Sequence, residues 1–430
     1  SALASVTAGM ARRLGMHVMK LRCLPDYRDS PFYPIAVYLV ERFGLDGGAA
    51  EKAFQLTQAL ASRGIDSDQN VFAPLFSLAA NEDDGAEISS SARREHLIAG
   101  LVELVRGICA RQPVLLIAED MHWADPSSVE LLSHLASQVE SRLLILPTSL
   151  ETAIPSEPDS DSIRLAPLDA SQAKELVQSA AEGEIDDARL ARIVDQSAGV
   201  PFLLDTMARG NCDGPPPSCI QAMLQVRLDR LGSAKRVAQM ASVLGLCGEP
   251  HNLSVLCGLP EENIDKELRT LLAAAILQWD DDGRLAFQNE LLREAVYHSL
   301  LAEDRRYAHR RAAKLLSEGA ADHALVAHHF DMAREWELAA RWWLDAGEHC
   351  VWLDANREAV DHFAAGVAAA GCIPTGGARD ELLLRLHLRQ IGPLKALHGQ
   401  YSPEVCLAAA AAKDLGAASG DSCGALLDLS

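Results

Sequence analysis

Aromatic residues make up only 5% of this 430-residue chain, and alanine and leucine dominate instead, a balance that favours helices over sheet. No apolar run approaches the ~20 residues needed to cross a bilayer. The opening SALASVTAGMARRLG has no initiator Met and reads as an amphipathic helix rather than a secretory leader. The ten cysteines (23, 109, 212, 219, 247, 257, 350, 372, 406, 423) include no CxxC pair. Neither a zinc site nor a disulfide framework follows from that spacing, and a reducing cytosol suits it, so a cytoplasmic protein is expected. Basic residues are short, 39 against 60 acidic, for a net charge of −21. That deficit argues against extended contact with nucleic acid or with an anionic membrane. The one basic stretch, Arg305, Arg306, His309, Arg310, Arg311 and Lys314, reads as a solvated helix face or a domain contact before a phosphate site. GxSxG is absent, as is any convincing set of nucleophile, histidine and acid.

What is present centres on Pro113–Pro126, PVLLIAEDMHWADP. Val114 to Ala118 form an unalternating apolar run, the pattern of a strand buried on both faces of a parallel sheet. Glu119 and Asp120 end it, where open α/β sheets bind ligands. Two carboxylates there have the shape of a Walker B strand, one acid holding Mg²⁺ and the next orienting water. The competing reading is a buried strand followed by a helix that Asp125, Pro126 and Ser127 open. His122 with Asp120 and Asp125 lacks the convergence of a metal site.

Around this strand the pattern predicts helices at 2–14, 35–43, 50–63, 71–80, 92–111 and 127–139, with further strands at 17–23, 142–149 and about 162–165. Polar, Pro- and Ser-rich loops cover 81–91 and 151–162. Strands alternating with helices indicate an α/β layer. After Leu168 the strand signal fades into helices at 171–183, 185–197 and 202–208, with a Gly199-Val200-Pro201 break between the last two. Asn211–Ser218, NCDGPPPS, is the clearest linker. Helices at 219–231, 233–244 and 261–275, followed by ILQWDDDGRLAF as a hairpin, form a winged-helix arrangement. It has no basic recognition helix, so DNA reading is disfavoured. Residues 290–430 are helical throughout. LAARWWLDAG (338–347) and EAVDHFAAGV (358–367) alternate small and bulky residues, as stacked helical hairpins of the TPR kind do; a plain helical bundle is the alternative. The end, Gly416–Leu429, is small and polar with no capping helix.

Glu119 to Ser128, ED-x-HWADPSS, resembles the Walker B segment of the STAND class of signal-transduction ATPases. It is most similar to the ATPase–helical-repeat modules behind bacterial class III adenylate cyclase domains and in large LuxR-type regulators. Leu21-Arg22-Cys23-Leu24-Pro25 resembles the family's R-C-x-P strand end, and Asp29 to Pro34 the segment after it. Gly199-Val200-Pro201-Phe202 resembles its GxP motif. The resemblance implies an α/β P-loop NTPase core over 1–166 with a parallel sheet incomplete at its N-terminus. A helical lid over 167–212, a winged helix over 213–300 and TPR-like repeats over 301–430 follow. Bound ATP or ADP with Mg²⁺ is implied, together with a protein partner on the repeats and an output domain, cyclase or DNA-binding, elsewhere in the full chain.

In that family the phosphates sit in GxxxxGK[ST], yet no Gly-Lys dipeptide occurs here. Counting back from Arg22, Ser1 falls where the final Ser/Thr of the P-loop stands and would touch Mg²⁺. Either the P-loop lies upstream of Ser1, so that the sheet lacks a central strand, or the chain is a P-loop-less pseudo-ATPase. The resemblance gives Mg²⁺ to Glu119, the attacking water to Asp120, adenine packing to the Gly199–Pro201 turn, and the ADP β-phosphate to Asn289, where the family has histidine. Thr148 is followed by Ser149, Leu150 and Glu151, so the family's γ-phosphate-sensing arginine is missing, which weakens hydrolysis more than binding. A nucleotide switch is therefore expected, with little or no turnover by this fragment. The other reading is an inactive scaffold with a vestigial ATPase core.

Overall fold

The computed structural model describes residues 2–419 apart from 63–68, 77–88, 140–141, 151–160, 182–184, 210–224, 226–227, 246–249, 280–284 and 319–321. The 211–218 linker, the tip of the hairpin, most of the 81–91 and 151–162 loops and Ser1 lie outside the described residues. The chain divides into two compact units. Residues 1–155 and 316–430 form one, and residues 156–315 the other.

The first unit is built on a parallel three-stranded sheet ordered β1-β2-β3: β1 (His17–Arg22), β2 (Val114–Glu119) and β3 (Leu143–Pro147). Every residue of β2 is buried, as its unbroken apolar run demands of a central strand. Its register sets Arg22 opposite Glu119 and Ala118 opposite Pro147, so all three strands end level. Helix α1 (Ala2–Arg13) lays Ala4, Ala8 and Ala11 on Leu115 and Ile117. Helix α2 (Tyr33–Phe43) packs on β1, and α3 (Ala49–Ala61), α4 (Gln69–Phe76), α5 (Ser90–Arg111) and α6 (Pro126–Gln138) complete the helices of residues 1–155. Among the described residues no fourth strand joins this sheet. The strand expected at about 162–165 is not formed. Ile163 and Leu165 are instead exposed, because an extended segment becomes a strand only when a neighbouring backbone completes its ladder.

The second unit begins with α7 (Ala170–Ala180), α8 (Asp187–Ser197) and α9 (Pro201–Arg209) around Val177, Ile193 and Leu204. It continues with α10 (Ala234–Leu244), α11 (Pro250–Cys257), α12 (Glu261–Ala273) and an antiparallel hairpin of β4 (Leu277–Trp279) and β5 (Leu285–Phe287). Helix α11 was not expected from the sequence: eight residues opened by a proline give little periodicity, though Leu253 and Leu256 are buried. Helices α13 (Glu290–His298) and α14 (Ala302–Ser317) close the unit. The basic stretch lies on α14 and makes packing contacts. His309 Nε2 is 2.9 Å from Tyr297 Oη, Arg305 lies over the Tyr297 ring, and Arg311 donates to the Val255 carbonyl.

The remaining helices, α15 (His323–Met332), α16 (Trp336–Trp352), α17 (Asn356–Gly371), α18 (Gly377–His398) and α19 (Pro403–Ser419), belong to the first unit. They pack successively, each on the next. A Cβ on Gly347 would stand 2.4 Å from the Phe363 ring, and one on Gly366 would stand 2.7 Å from Leu386, the small-against-large fit expected of stacked hairpins. Helix α19 runs to Ser419, four residues into the small, polar stretch that begins at Gly416.

Candidate functional site

Five apolar residues of β2 fill the space between the helix layers, and the strand then delivers Glu119 and Asp120 together at its carboxyl end. The two carboxylates meet different fates. Glu119 is almost fully buried. Its Oε2 lies 3.5 Å from Arg22 Nε, the residue beside it in the register, while its Oε1 has no hydrogen-bond partner among the described residues. A buried carboxylate oxygen left unpaired costs about 1–3 kcal/mol or more, and a divalent cation would remove that cost. The donor set thus fits Mg²⁺ at Oε1, provided the Arg22 guanidinium keeps to Oε2.

Asp120 is exposed and left-handed, with φ 58° and ψ 46°. Asp tolerates this region better than most residues. Its N–H donates to Thr148 Oγ1 at 3.2 Å, and the Met121 N–H donates to the Thr148 carbonyl at 2.8 Å. Thr148 itself donates its N–H to the Ala118 carbonyl. The end of β3 therefore clamps the turn that carries Asp120. No arginine follows: Leu150 is among the most exposed apolar side chains of the described residues.

The chain then makes a short 3-10 turn, Met121–Trp123, and enters α6 through Asp125. Asp125 is buried and caps α6, accepting from the Ser128 N–H at 2.7 Å. The same Oδ1 accepts from the Phe32 N–H at 3.0 Å. Phe32 is itself left-handed and fully buried, so the loops leaving β1 and β2 are tied at one carboxylate. Burial pushes the Asp125 carboxyl up to about 7. The nearby Glu358 adds to the rise, while donors on Ser128 and Phe32 oppose it. Cys23, at the end of β1, is pushed up to about 12 by burial and by Asp125 and Asp120, so its thiol stays protonated. The helix-opening reading of Asp125 and Ser127 thus holds alongside the placement of the acids at the strand end. The tie to Phe32 was missed, since nothing local couples residues 93 positions apart.

Three expected site residues lie in the second unit. Gly199 (φ 73°) accepts from the Leu168 N–H at 2.8 Å, and a Cβ there would come 2.3 Å from the Leu168 carbonyl oxygen. Only glycine fits, on both counts. Pro201 opens α9 and is exposed, in the position where a proline costs the helix no hydrogen bond. Asn289 caps α13, its Oδ1 accepting from the Leu292 N–H at 2.9 Å. Phe202 and the Asn289 neighbours Phe287 and Leu292 share one hydrophobic core, so the 199–201 turn and Asn289 are anchored in common. Among the described residues no cluster of His, Cys, Asp and Glu is arranged to hold a metal by itself, and no helix is long and apolar enough to cross a membrane.

Comparison with known proteins gives these features a context. Residues 1–146 match the AAA ATPase domain family. An uncharacterised protein of Rhizobium meliloti (strain 1021) is 25% identical over 415 residues, which cover 87% of this chain and 39% of that protein. The chain thus spans about two fifths of the length of that curated relative. Among solved structures, a STAND protein with a tetratricopeptide repeat sensor from Pyrococcus horikoshii has 12% identity and a TM-score of 0.43. That similarity covers 94% of this chain and 63% of the archaeal one.

Proposed function

We propose that this chain is the nucleotide-binding switch and sensor portion of a larger cytoplasmic STAND-type signalling ATPase, with ATP or ADP as ligand. The observation that carries the reading is Glu119. It is the buried acid at the end of the central parallel strand, within the segment matching an AAA ATPase domain, and one of its oxygens lacks a partner among the described residues. Residues 1–166 act as the ATPase core, 167–212 as a helical lid, 213–300 as a winged helix and 301–430 as partner-binding repeats.

In a protein with a P-loop, Glu119 together with Ser1 would hold Mg²⁺, which would supply positive charge to a bound nucleotide. Asp120, exposed and fixed by Thr148, accepts a hydrogen bond from the attacking water and orients it. The Gly199–Pro201 turn presents Pro201 to adenine. Asn289 offers its Nδ2 donors to a phosphate while Oδ1 stays on the helix cap. Nucleotide exchange biases the arrangement of the domains and so an output domain, cyclase or DNA-binding, outside residues 1–430.

Titration of the chain with a fluorescent ATP analogue, with and without Mg²⁺, tests this. Mg²⁺-dependent binding that is lost in Glu119→Ala supports the switch. In the P-loop-complete protein, Asp120→Asn is expected to retain ATP unhydrolysed, and unchanged turnover would remove Asp120 from its role. A second reading, a nucleotide-free scaffold, is favoured by one observation: Arg22 already occupies the other Glu119 oxygen. Absence of nucleotide binding, even by a form of the chain given a GxxxxGK[ST] segment before Ser1, would select it.

A further inference from the structure

We propose that Glu358 is a latch, through which the helices following residue 316 hold the turn after β2 in its present shape. Glu358 stands in the first turn of α17 and is 2% exposed. Its Oε1 accepts from both the Ser127 N–H, at 3.0 Å, and Ser127 Oγ, at 2.6 Å. Ser127 is the second residue of α6 and is itself fully buried. A carboxylate there meets the N–H groups and the positive end of the helix dipole. Withdrawing it leaves a buried donor unpaired, which the α6 terminus can relieve only by moving or by admitting water.

The contact does not end at Ser127. Arg94 Nη2 donates to Ser127 Oγ at 3.0 Å, and the Arg94 guanidinium lies 5.1 Å over the Phe32 ring. The Phe32 N–H reaches Asp125, the cap of α6. Glu358 therefore touches, through one chain of contacts, the loops leaving both β1 and β2, and the turn from Asp120 to Asp125 is what separates it from the acidic strand end. A second tie runs beside the first. Arg93 Nη1 donates to the Trp352 carbonyl at 2.7 Å, and its guanidinium lies 4.3 Å over the Trp352 ring. Arg93 thus holds the end of α16 directly, while its neighbour Arg94 reaches the start of α17 only through Ser127, and any displacement of these helices must move that strip. The coupling rests on these contacts alone, and it stands whether or not the acids at the strand end bind nucleotide.

Hydrogen–deuterium exchange on the whole chain tests the latch. Glu358→Ala is expected to speed exchange of the amides at 121–129 and 31–34 at least tenfold, and Glu358→Gln, which keeps an acceptor oxygen, to do so less. Ser127→Ala should speed exchange at 356–362 from the opposite side. The double variant Ser127→Ala/Glu358→Ala should be no faster than Glu358→Ala alone, since Glu358→Ala already removes both bonds between the two residues, the hydroxyl one that Ser127→Ala breaks included. Faster exchange confined to 323–371, with 121–129 unchanged, would overturn the proposal. So would effects of the two substitutions that multiply. If Glu358→Ala fails to fold, Glu358→Gln and Ser127→Ala with their double variant make the same comparison.

Discussion

At the scale of single residues, the carboxylates at and just beyond the end of β2 are separated by what surrounds them. Glu119 is buried against Arg22, Asp120 is exposed in a left-handed turn, and Asp125 is buried with its carboxyl raised to about 7. For Asp125 the folded value lies above the ordinary 3.8, so the folded chain binds its proton more tightly than the unfolded chain does. Its contribution to stability is complete below about pH 4 and is lost as the pH rises through about 7. The native chain is therefore expected to gain thermal stability relative to Asp125→Asn as the pH falls from about 7 to 4, by up to a few kcal/mol. Above about pH 8 the two melting curves should keep a constant separation. Paired unfolding curves across that range check this. His349 and His362, lowered by burial to about 4, work in the opposite sense. Their stability is present above about pH 6.5 and fades as the pH falls through 4, so only the difference between variants isolates Asp125.

At the scale of elements, the helices after residue 316 depend on two local devices. One is the close crossing at Gly347, where Phe363 fills the room of a side chain. Gly347→Ala should destabilise the chain by about 1–3 kcal/mol despite its better helix propensity, because a buried aromatic ring has nowhere to retreat. The other is the helix stop. Arg334 and Asp354 are left-handed, and each closes its helix by the same pair of bonds: the Arg334 N–H to the Asp331 carbonyl and the Glu335 N–H to Phe330, then Asp354 to Val351 and Ala355 to Cys350. Arginine pays a steric penalty there that glycine does not. Arg334→Gly is expected to raise stability by about 1 kcal/mol in denaturant titration, where the same change in mid-helix would lower it.

At the scale of the molecule, the unit of 156–315 is assembled from a single stretch of chain, whereas the other combines both ends. The hydrophobic clusters around Val177, Leu268 and Ala312 draw only on residues within 156–315. Residues 156–315 expressed alone are therefore expected to unfold cooperatively, as followed by circular dichroism. Residues 1–155 alone would leave Ser127 without Glu358 and Arg93 without Trp352, and a broad or absent transition is expected.

Much of the architecture was legible in the chain. The run Val114–Ala118 could be nothing but a strand covered on both sides, and the carboxylates after it had to lie at its carboxyl end. The same holds for the strands β4 and β5 and for the small and bulky residues of 338–367, because periodicity is a local property. Folding alone supplied the rest. It paired Arg22 with Glu119, gave Gly199 a second reason to be glycine in the Leu168 carbonyl, and turned Asn289 into a helix cap. It left 162–165 without a ladder and brought Glu358 to a helix terminus 231 residues away. Each of these depends on which backbone comes to lie beside which, and no periodicity in a linear chain encodes the partner of a buried charge.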